Sequence, residues 1–492
     1  MSKRPKTFSK QAKGKQKAEP KLETADDFLA AGVDHEEAAG KHRAGDAAKS
    51  MRFFQRAGTA YDQGLALYPQ NFDLAYNKAR VLLEVATHPA LVGQLQEPLL
   101  GALRTTLDAH QYALKLKPDN ADTLFNTAQV LTSIAEELAT EDIDNFGKEA
   151  LKLLEEALEL QAKCFSVQET THAEFLEQER LANEQSGIAE GEEEPVVSEE
   201  TAEQESSNED DQWATVEEAV TYDTLVDTLV AQLNTLTTLC QLLNDASGSI
   251  PSHVLPMIEN YSSKYIQKIQ AISQHTPERL HEIALSKAKF TSSLLEAGFR
   301  SGQLDAMTYR RERDAAFSAP ELFATEPFES FVANARSLTS FNSALADANA
   351  DNSILRWNAL TEATQFLSEA SKIQRIDHDD LVTTHMLRGA SNLSLYALAL
   401  PPISHPAATK SAAQLLKNAE VFYRNASKMS GDEEEKEIAQ LRSLVASSLQ
   451  NKASLDAEFD IMAVVQASRK DPSWVMEQLS EMQDEGLLPS DA

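Results

Sequence analysis

The residue types that most often carry catalysis are thinly spread through this chain and spaced wrongly for it. His281 is followed by Glu282, but no second histidine stands one turn later, so the pair of imidazoles that a helix-borne zinc site requires is missing. The only two cysteines, Cys164 and Cys240, are too far apart to form a C-x-x-C metal or redox pair. Neither G-x-G-x-x-G nor G-x-x-x-x-G-K-[ST] occurs, which removes the usual backbone cradles for phosphate. Adjacent acids at Glu155 and Glu156, and at Glu433 to Glu435, could exchange protons only if burial or a charged partner shifted their proton affinity. They sit in polar, helix-periodic stretches that supply neither. The spacing points to no enzyme, cofactor or metal, and no catalytic, cofactor-binding or metal-ligating residue is assigned.

Charge is the chemistry that the chain does carry. With 45 Lys and Arg against 77 Asp and Glu, the formal net charge is −32. The first 21 residues run the other way, holding Lys3, Arg4, Lys6, Lys10, Lys13, Lys15, Lys17 and Lys21 against the single acid Glu19. The body is therefore more acidic than the total implies. From Leu181 to Ser263 there is no Lys or Arg, while 18 acids fall within the same 83 positions. Such a field repels nucleic-acid phosphate and draws in basic surfaces. The most polar part, Glu190 to Asp211, has too few apolar groups to offset ordering entropy and reads as disordered.

Elements able to position these charges are read from hydrophobic periodicity, which is helical almost throughout. Leu225, Leu229, Leu233, Leu236, Cys240 and Leu243 recur at three and four, one buried stripe. Cys164 lies in a comparable stretch, so both cysteines read as packing residues in a reducing compartment. Further helices are expected near Met257 to Ser273, Glu278 to Ala297 and Ala306 to Phe317, with Thr276 and Pro277 as a start signal. Asp471 and Pro472 introduce a last helix carrying Trp474, Val475, Leu479 and Met482, and Gly486 stops it.

A repeat underlies the periodicity. Gly45, Ala57, Tyr61, Gly64 and Pro69 are spaced as small, small, aromatic, small and proline in a 34-residue helix-turn-helix unit. A second unit opens with Tyr76 and Ala79 and closes with Ala113, Leu116 and Pro118, split by an insertion around Val92 to Leu107. The third supplies Leu124, Phe125, Ala128 and Leu131, then Ala150, Leu154, Ala157 and Leu160, with Ala162 where the closing proline would stand. Weaker copies appear at Trp357, Ala363, Leu367 and Ala370, and at His385 and Gly389 with Ala419, Tyr423 and Ala426. On these residues the chain resembles the tetratricopeptide-repeat family over residues 45 to 160.

The resemblance implies an all-α fold of antiparallel helix pairs stacked into a right-handed solenoid, with irregular insertions and a disordered tail and linker. The organisation read from it is a basic tail (1–23), repeats (24–185), an acidic linker (186–212), a second repeat segment (213–430) and C-terminal capping helices (431–492). In that family the first helix of each pair lines a concave groove. Carried over, the groove residues are Asp73, Tyr76, Asn77, Arg80 and Glu84, then Asp122, Phe125, Asn126, Gln129 and Glu136. Acids, amides and aromatics suit an extended basic or polar peptide. Asn77 fits the clamp by which some members hold chaperone C-termini, but Asp122 and Asn126 stand where that clamp needs cations. An acidic repeat protein with a basic tail is similar in character to eukaryotic chaperones that escort basic ribosomal proteins.

The expectation is a non-enzymatic scaffold or dedicated chaperone for a basic protein of the ribosomal or histone class. A co-chaperone adaptor and an RNA-associated nuclear factor are the alternatives. Lys3, Arg4, Lys6, Lys10, Lys13, Lys15 and Lys17 form a candidate nuclear-import signal, and the tail is the one segment where nucleic acid could bind. No run approaches the ~20 apolar residues of a membrane span, and the N-terminus lacks the apolar core of a secretory signal, so a cytoplasmic and nuclear protein is expected, with neither membrane nor small-molecule substrate as partner.

Overall fold

The computed structural model describes residues 22–188, 220–245, 254–324, 327–348, 352–374, 376–451, 455 and 459–488. Among these there is no β-strand; every regular element is helical. The chain divides into two compact units, one holding residues 22–134 of the described set and the other 135–188 and 220–488. The tail at 1–21, with its import-signal candidate, lies outside the described residues, as does the acidic stretch from 189 to 211.

The first unit begins with α1 (Ala25–Arg43) and α2 (Ala47–Leu67), an antiparallel pair. Thr24 caps α1 reciprocally: its hydroxyl accepts from the Asp27 N–H at 3.1 Å while the Asp27 carboxylate accepts from the Thr24 N–H at 2.8 Å. What locks the pair is one glycine and one tyrosine. A Cβ built on Gly32 would lie 2.2 Å from the ring of fully buried Tyr61, so only glycine lets the helices approach this closely. The same device recurs in the second unit, where a Cβ on Gly389 would lie 2.6 Å from the Tyr423 ring. The spacing-based reading had put the small residue of the first pair at Gly45. Gly45 instead sits exposed in the turn between α1 and α2, and the close approach of the two helices falls at Gly32.

The second pair is α3 (Phe72–Thr87) with α5 (Leu99–Leu116), and the insertion folds into a short α4 (Pro89–Val92) and the opening turns of α5. Here Ala79 and His110 take the places of Gly32 and Tyr61. Asn71 and Asn120 cap α3 and α6 (Ala121–Ile188) identically, each side-chain oxygen accepting from the backbone N–H three residues on, at 2.9 and 2.8 Å. The structural repeat is therefore Pro69–Asn71 and Pro118–Asn120, each followed by a helix with a small residue, Ala79 or Ala128, fully buried.

α6 is helical throughout, yet it is not one straight rod. Glu136 accepts from the Thr238 hydroxyl at 3.0 Å, and Gln161 donates to the Thr235 hydroxyl at 2.9 Å, so both residues meet a single turn of α7 (Tyr222–Asp245). A straight helix would hold residues 136 and 161 roughly 37 Å apart. The chain doubles back between them, as the hairpin reading of the third repeat anticipated. The missing closing proline at Ala162 has its own consequence: without a stop signal the helix runs on to Ile188. Gln161, Gln168 and His172 bond in turn to Thr235, Thr228 and the Val220 carbonyl, which zips α7 antiparallel along it.

The second unit continues through α8 (Val254–Ile272), α9 (Leu280–Arg300), α10 (Ala306–Ala316), α11 (Pro327–Asp347), α12 (Ser353–Ala370), α13 (His378–Ala397), α14 (Pro406–Met429), α15 (Glu433–Gln450), α16 (Ile461–Ser468) and α17 (Pro472–Asp484). The pairs α11–α12 and α13–α14 are helix hairpins with alanine seams at Ala359, Ala363 and Ala370, and at Ala419 and Ala426. Thr276 does not start α9. A 3-10 turn at Pro277–Arg279 intervenes and the threonine hydroxyl is buried without a hydrogen bond. Asp471 does cap α17, accepting from Ser473 and Trp474, and Gly486 ends it at φ +68.

Candidate functional site

The groove residues inferred from the resemblance begin with helix faces. α1, α3 and the start of α6 are the first helices of successive repeats, and Asp73, Tyr76, Asn77, Arg80 and Glu84 follow α3 at intervals of one turn. All but Glu136 belong to the first unit. Glu136 lies in the second, against Thr238.

Ion pairs decide what this face presents. Arg80 pairs with Glu36 of α1, and Glu36 also accepts from the Tyr61 hydroxyl. Arg43 of α1 pairs with Glu84. Arg80 and Glu84 are thereby struts that tie α3 to α1, and Glu36 connects that strut to the tyrosine that locks the first pair. Burial, then the Glu36 carboxylate, holds the Tyr61 hydroxyl far above its ordinary proton affinity, so it donates as a neutral phenol. Arg80 also donates to the Asn77 side chain at 3.2 Å, and Asn77 donates to the Asp73 carbonyl at 2.8 Å.

Tyr76 stands at the junction with α6. Burial raises its pKa, the Asp122 carboxylate raises it further, and Arg80 and the Asn126 side chain oppose them, which places these three groups around one ring. Phe72 stacks on Tyr76 with centroids 5.8 Å apart, and Lys117 lies over Phe72 at 5.4 Å. Phe125 occupies in α6 the position of Tyr76 in α3 and is half-buried, while Asp122 and Gln129 are exposed. Asp73 makes no ion pair among the described residues. The face carries four carboxylates, Glu36, Asp73, Glu84 and Asp122, against the guanidiniums of Arg43 and Arg80 and the ammonium of Lys117, with an aromatic residue in the second and third repeats. Such a surface can bind a cationic chain by charge and by stacking.

Sequence reasoning missed Glu36 and Arg43, because the repeat register that put Gly45 at the crossing left α1 outside the first repeat. The signal was present: the seven-residue spacing of Glu36 and Arg43 matches the face of Arg80 and Glu84.

Groups that carry chemistry elsewhere are buried. Cys164 and Cys240 are in no disulfide and have no exposed surface, and burial, helped by the Glu296 charge, pushes the Cys240 thiol up to about 12. Among the described residues no group of three His, Cys, Asp or Glu is arranged to hold a metal ion, and no helix is long and apolar enough to cross a membrane.

No protein-family model matches the chain. A stretch of 99 residues is 34% identical to UPF0656 protein C926.02 of Schizosaccharomyces pombe, covering 20% of this chain and 21% of that protein. The chain thus spans about a fifth of the length of the curated relative it matches. Among solved structures it is similar to a circular tandem repeat protein with novel repeat topology and enhanced subunit contact surfaces, at 10% identity over 94% of this chain and 96% of that one, with a TM-score of 0.29. It is also similar to yeast Tom70, at 11% identity over 93% and 96% of the two chains, with a TM-score of 0.20.

Proposed function

We propose that the chain is a non-catalytic binding scaffold that takes an extended basic polypeptide on the α1–α3–α6 face of its first unit, in the manner of a dedicated chaperone for a ribosomal or histone-type protein. The observation that carries this reading is the excess of carboxylate on that face together with its aromatic ladder. Arg43 and Arg80 are already committed to Glu84 and Glu36, so the groups we assign to the ligand are Asp73, Tyr76, Phe125 and Gln129, with the Asp122 carboxylate adding negative charge beside Tyr76. Lysine and arginine stems lie well along aromatic rings while their heads reach carboxylates. The acidic body supports capture from a distance at modest salt, and the face itself supports the grip.

On this reading the basic residues between Lys3 and Lys17 serve import, and the protein works in cytoplasm and nucleus. The test is fluorescence anisotropy with a ten-residue Lys- and Arg-rich peptide. Asp73→Lys combined with Asp122→Lys is expected to weaken binding about tenfold or more at low salt, since two favourable charge contacts become repulsive. Unchanged affinity in the doubly reversed protein would refute the assignment of the face.

A further inference from the structure

The chain enters the first unit at a fixed point. Leu22 packs against the core around Phe28 and Tyr61, and the Glu23 carbonyl accepts from the Tyr68 hydroxyl at 2.6 Å. Tyr68 closes α2 just ahead of the Asn71 cap of α3, so the segment before Leu22 leaves beside the N-terminal end of α3. α1 and α3 run parallel, because Glu36 and Arg43 of α1 meet Arg80 and Glu84 of α3 in the same order. Asp73 and Tyr76 lie in the first two turns of α3, and Asp122 and Phe125 take the same places in α6. The point of exit and the groups assigned to the ligand therefore share one edge of the unit.

The segment that leaves there has the chemistry assigned to the ligand. Residues 1–21 carry Lys and Arg at eight positions against the single acid Glu19. Lys13, Lys15 and Lys17 alternate with Gly14 and Gln16, and an extended chain puts alternate side chains on one side at about 6.7 Å intervals. Neighbouring helices lie roughly 8–10 Å apart, which sets α3 one such step and α6 two steps across from α1. Measured from Leu22, an extended chain reaches about 17 Å at Lys17 and about 30 Å at Lys13. Those three lysines therefore span the strip that holds Asp73 and Asp122.

We infer that in the unloaded protein its own residues 13–17 lie across the α1–α3–α6 face, the lysine heads on Asp73 and Asp122 and their stems along Tyr76 and Phe125, so that a basic partner binds by displacing them. Lys117, 5.4 Å over the Phe72 ring, already shows a lysine lying on an aromatic ring at this edge. The inference rests on the basic-ligand reading of this face and adds its regulation. A short tether presents the segment at a local concentration of about 1 mM. If the untethered segment binds with a Kd of about 0.1 mM, it covers the face about nine-tenths of the time and weakens a competing ligand about tenfold. Short basic sequences are thereby shut out, while a partner that makes more contacts gets in. Lys13, Lys15 and Lys17 also belong to the import-signal candidate, so loading the face frees part of that signal.

The experiment uses the full chain and the ten-residue Lys- and Arg-rich peptide, followed by anisotropy at low salt. Lys13→Gln, Lys15→Gln and Lys17→Gln together are expected to tighten peptide binding about tenfold. Lys3→Gln, Arg4→Gln and Lys6→Gln remove the same charge further from Leu22 and should change the affinity less than about twofold, since overall charge is screened over such distances. Zero-length carbodiimide coupling of the unloaded wild type, mapped by mass spectrometry, should join Lys13, Lys15 or Lys17 to Asp73 or Asp122, and excess peptide should abolish the link. Equal affinity of the wild type and the Lys13, Lys15, Lys17 variant, an equal gain from both triple variants, or no such link overturns the inference and leaves the reading of the face standing. Failure of every one of these proteins to bind the peptide refutes the face itself, and the inference with it.

Discussion

His110 offers the sharpest check on the packing logic of the first unit. It occupies the position that Tyr61 and Tyr423 fill in the glycine-locked pairs, but it faces Ala79, whose methyl takes up room that glycine leaves to a tyrosine ring. The imidazole is fully buried and neither ring nitrogen makes a well-formed hydrogen bond. Burial pushes its pKa from 6.5 down to about 4, opposed only in part by the Ala79 carbonyl. A histidine with a depressed pKa is neutral in the fold and takes up its proton on unfolding. Its contribution is therefore intact above the unfolded value of 6.5 and is lost as pH falls towards 4. From those two values the loss is roughly 2 kcal/mol at about pH 5 and approaches roughly 3 kcal/mol below the folded pKa.

The perturbation is His110→Leu, which keeps the volume and removes the titration. A chain of two units need not unfold in one step, so the assay is hydrogen exchange of the α3 and α5 amides, read at about pH 7 and about pH 5 after correction for intrinsic rates. Wild-type protection of these helices should fall by a factor of about thirty between the two conditions, corresponding to about 2 kcal/mol, relative to the Leu variant. Equal pH sensitivity in the two proteins would refute the reasoning, because it would assign the loss to surface carboxylates.

Other substitutions test other joints. Gly32→Ala should destabilise the first unit by about 2 kcal/mol, since the new methyl must displace the Tyr61 ring and its bond to Glu36, and the α1–α2 melting transition reports it. The matching Gly389→Ala should act on α13–α14 in the same direction and leave α1–α2 unchanged. Asn71→Ala and Asn120→Ala each remove one helix cap and should cost about 1 kcal/mol apiece in denaturant unfolding, additively because the sites share no partner. Arg313→Leu removes a guanidinium that is 1% exposed and bonded to Asn334, Ser337 and Asp314; leaving those groups unpaired should cost about 3 kcal/mol, visible as a lowered melting temperature of the second unit.

Much of the fold was legible in residue order because helices are local. Period and punctuation alone placed α7, α8, α9, α10 and α17 within a few residues, and the Pro-x-Asn pattern after α2 and α5 marks the starts of α3 and α6. Small residues at Ala57, Ala419 and Ala426 announced paired helices. Composition alone set the acidic character on which the proposed basic ligand draws.

What residue order left open was register and pairing between distant segments. Gly45 and Gly32 are both small, and only the observed lengths of α1 and α2 show which one meets Tyr61. Arg80 and Glu84 could face a ligand or a neighbour; the partners that claim them, Glu36 and Arg43, lie some forty residues away. A helix fixes which of its own residues share a face, but which faces meet depends on the total fit of many side chains across the core, and that is settled only when the whole chain packs.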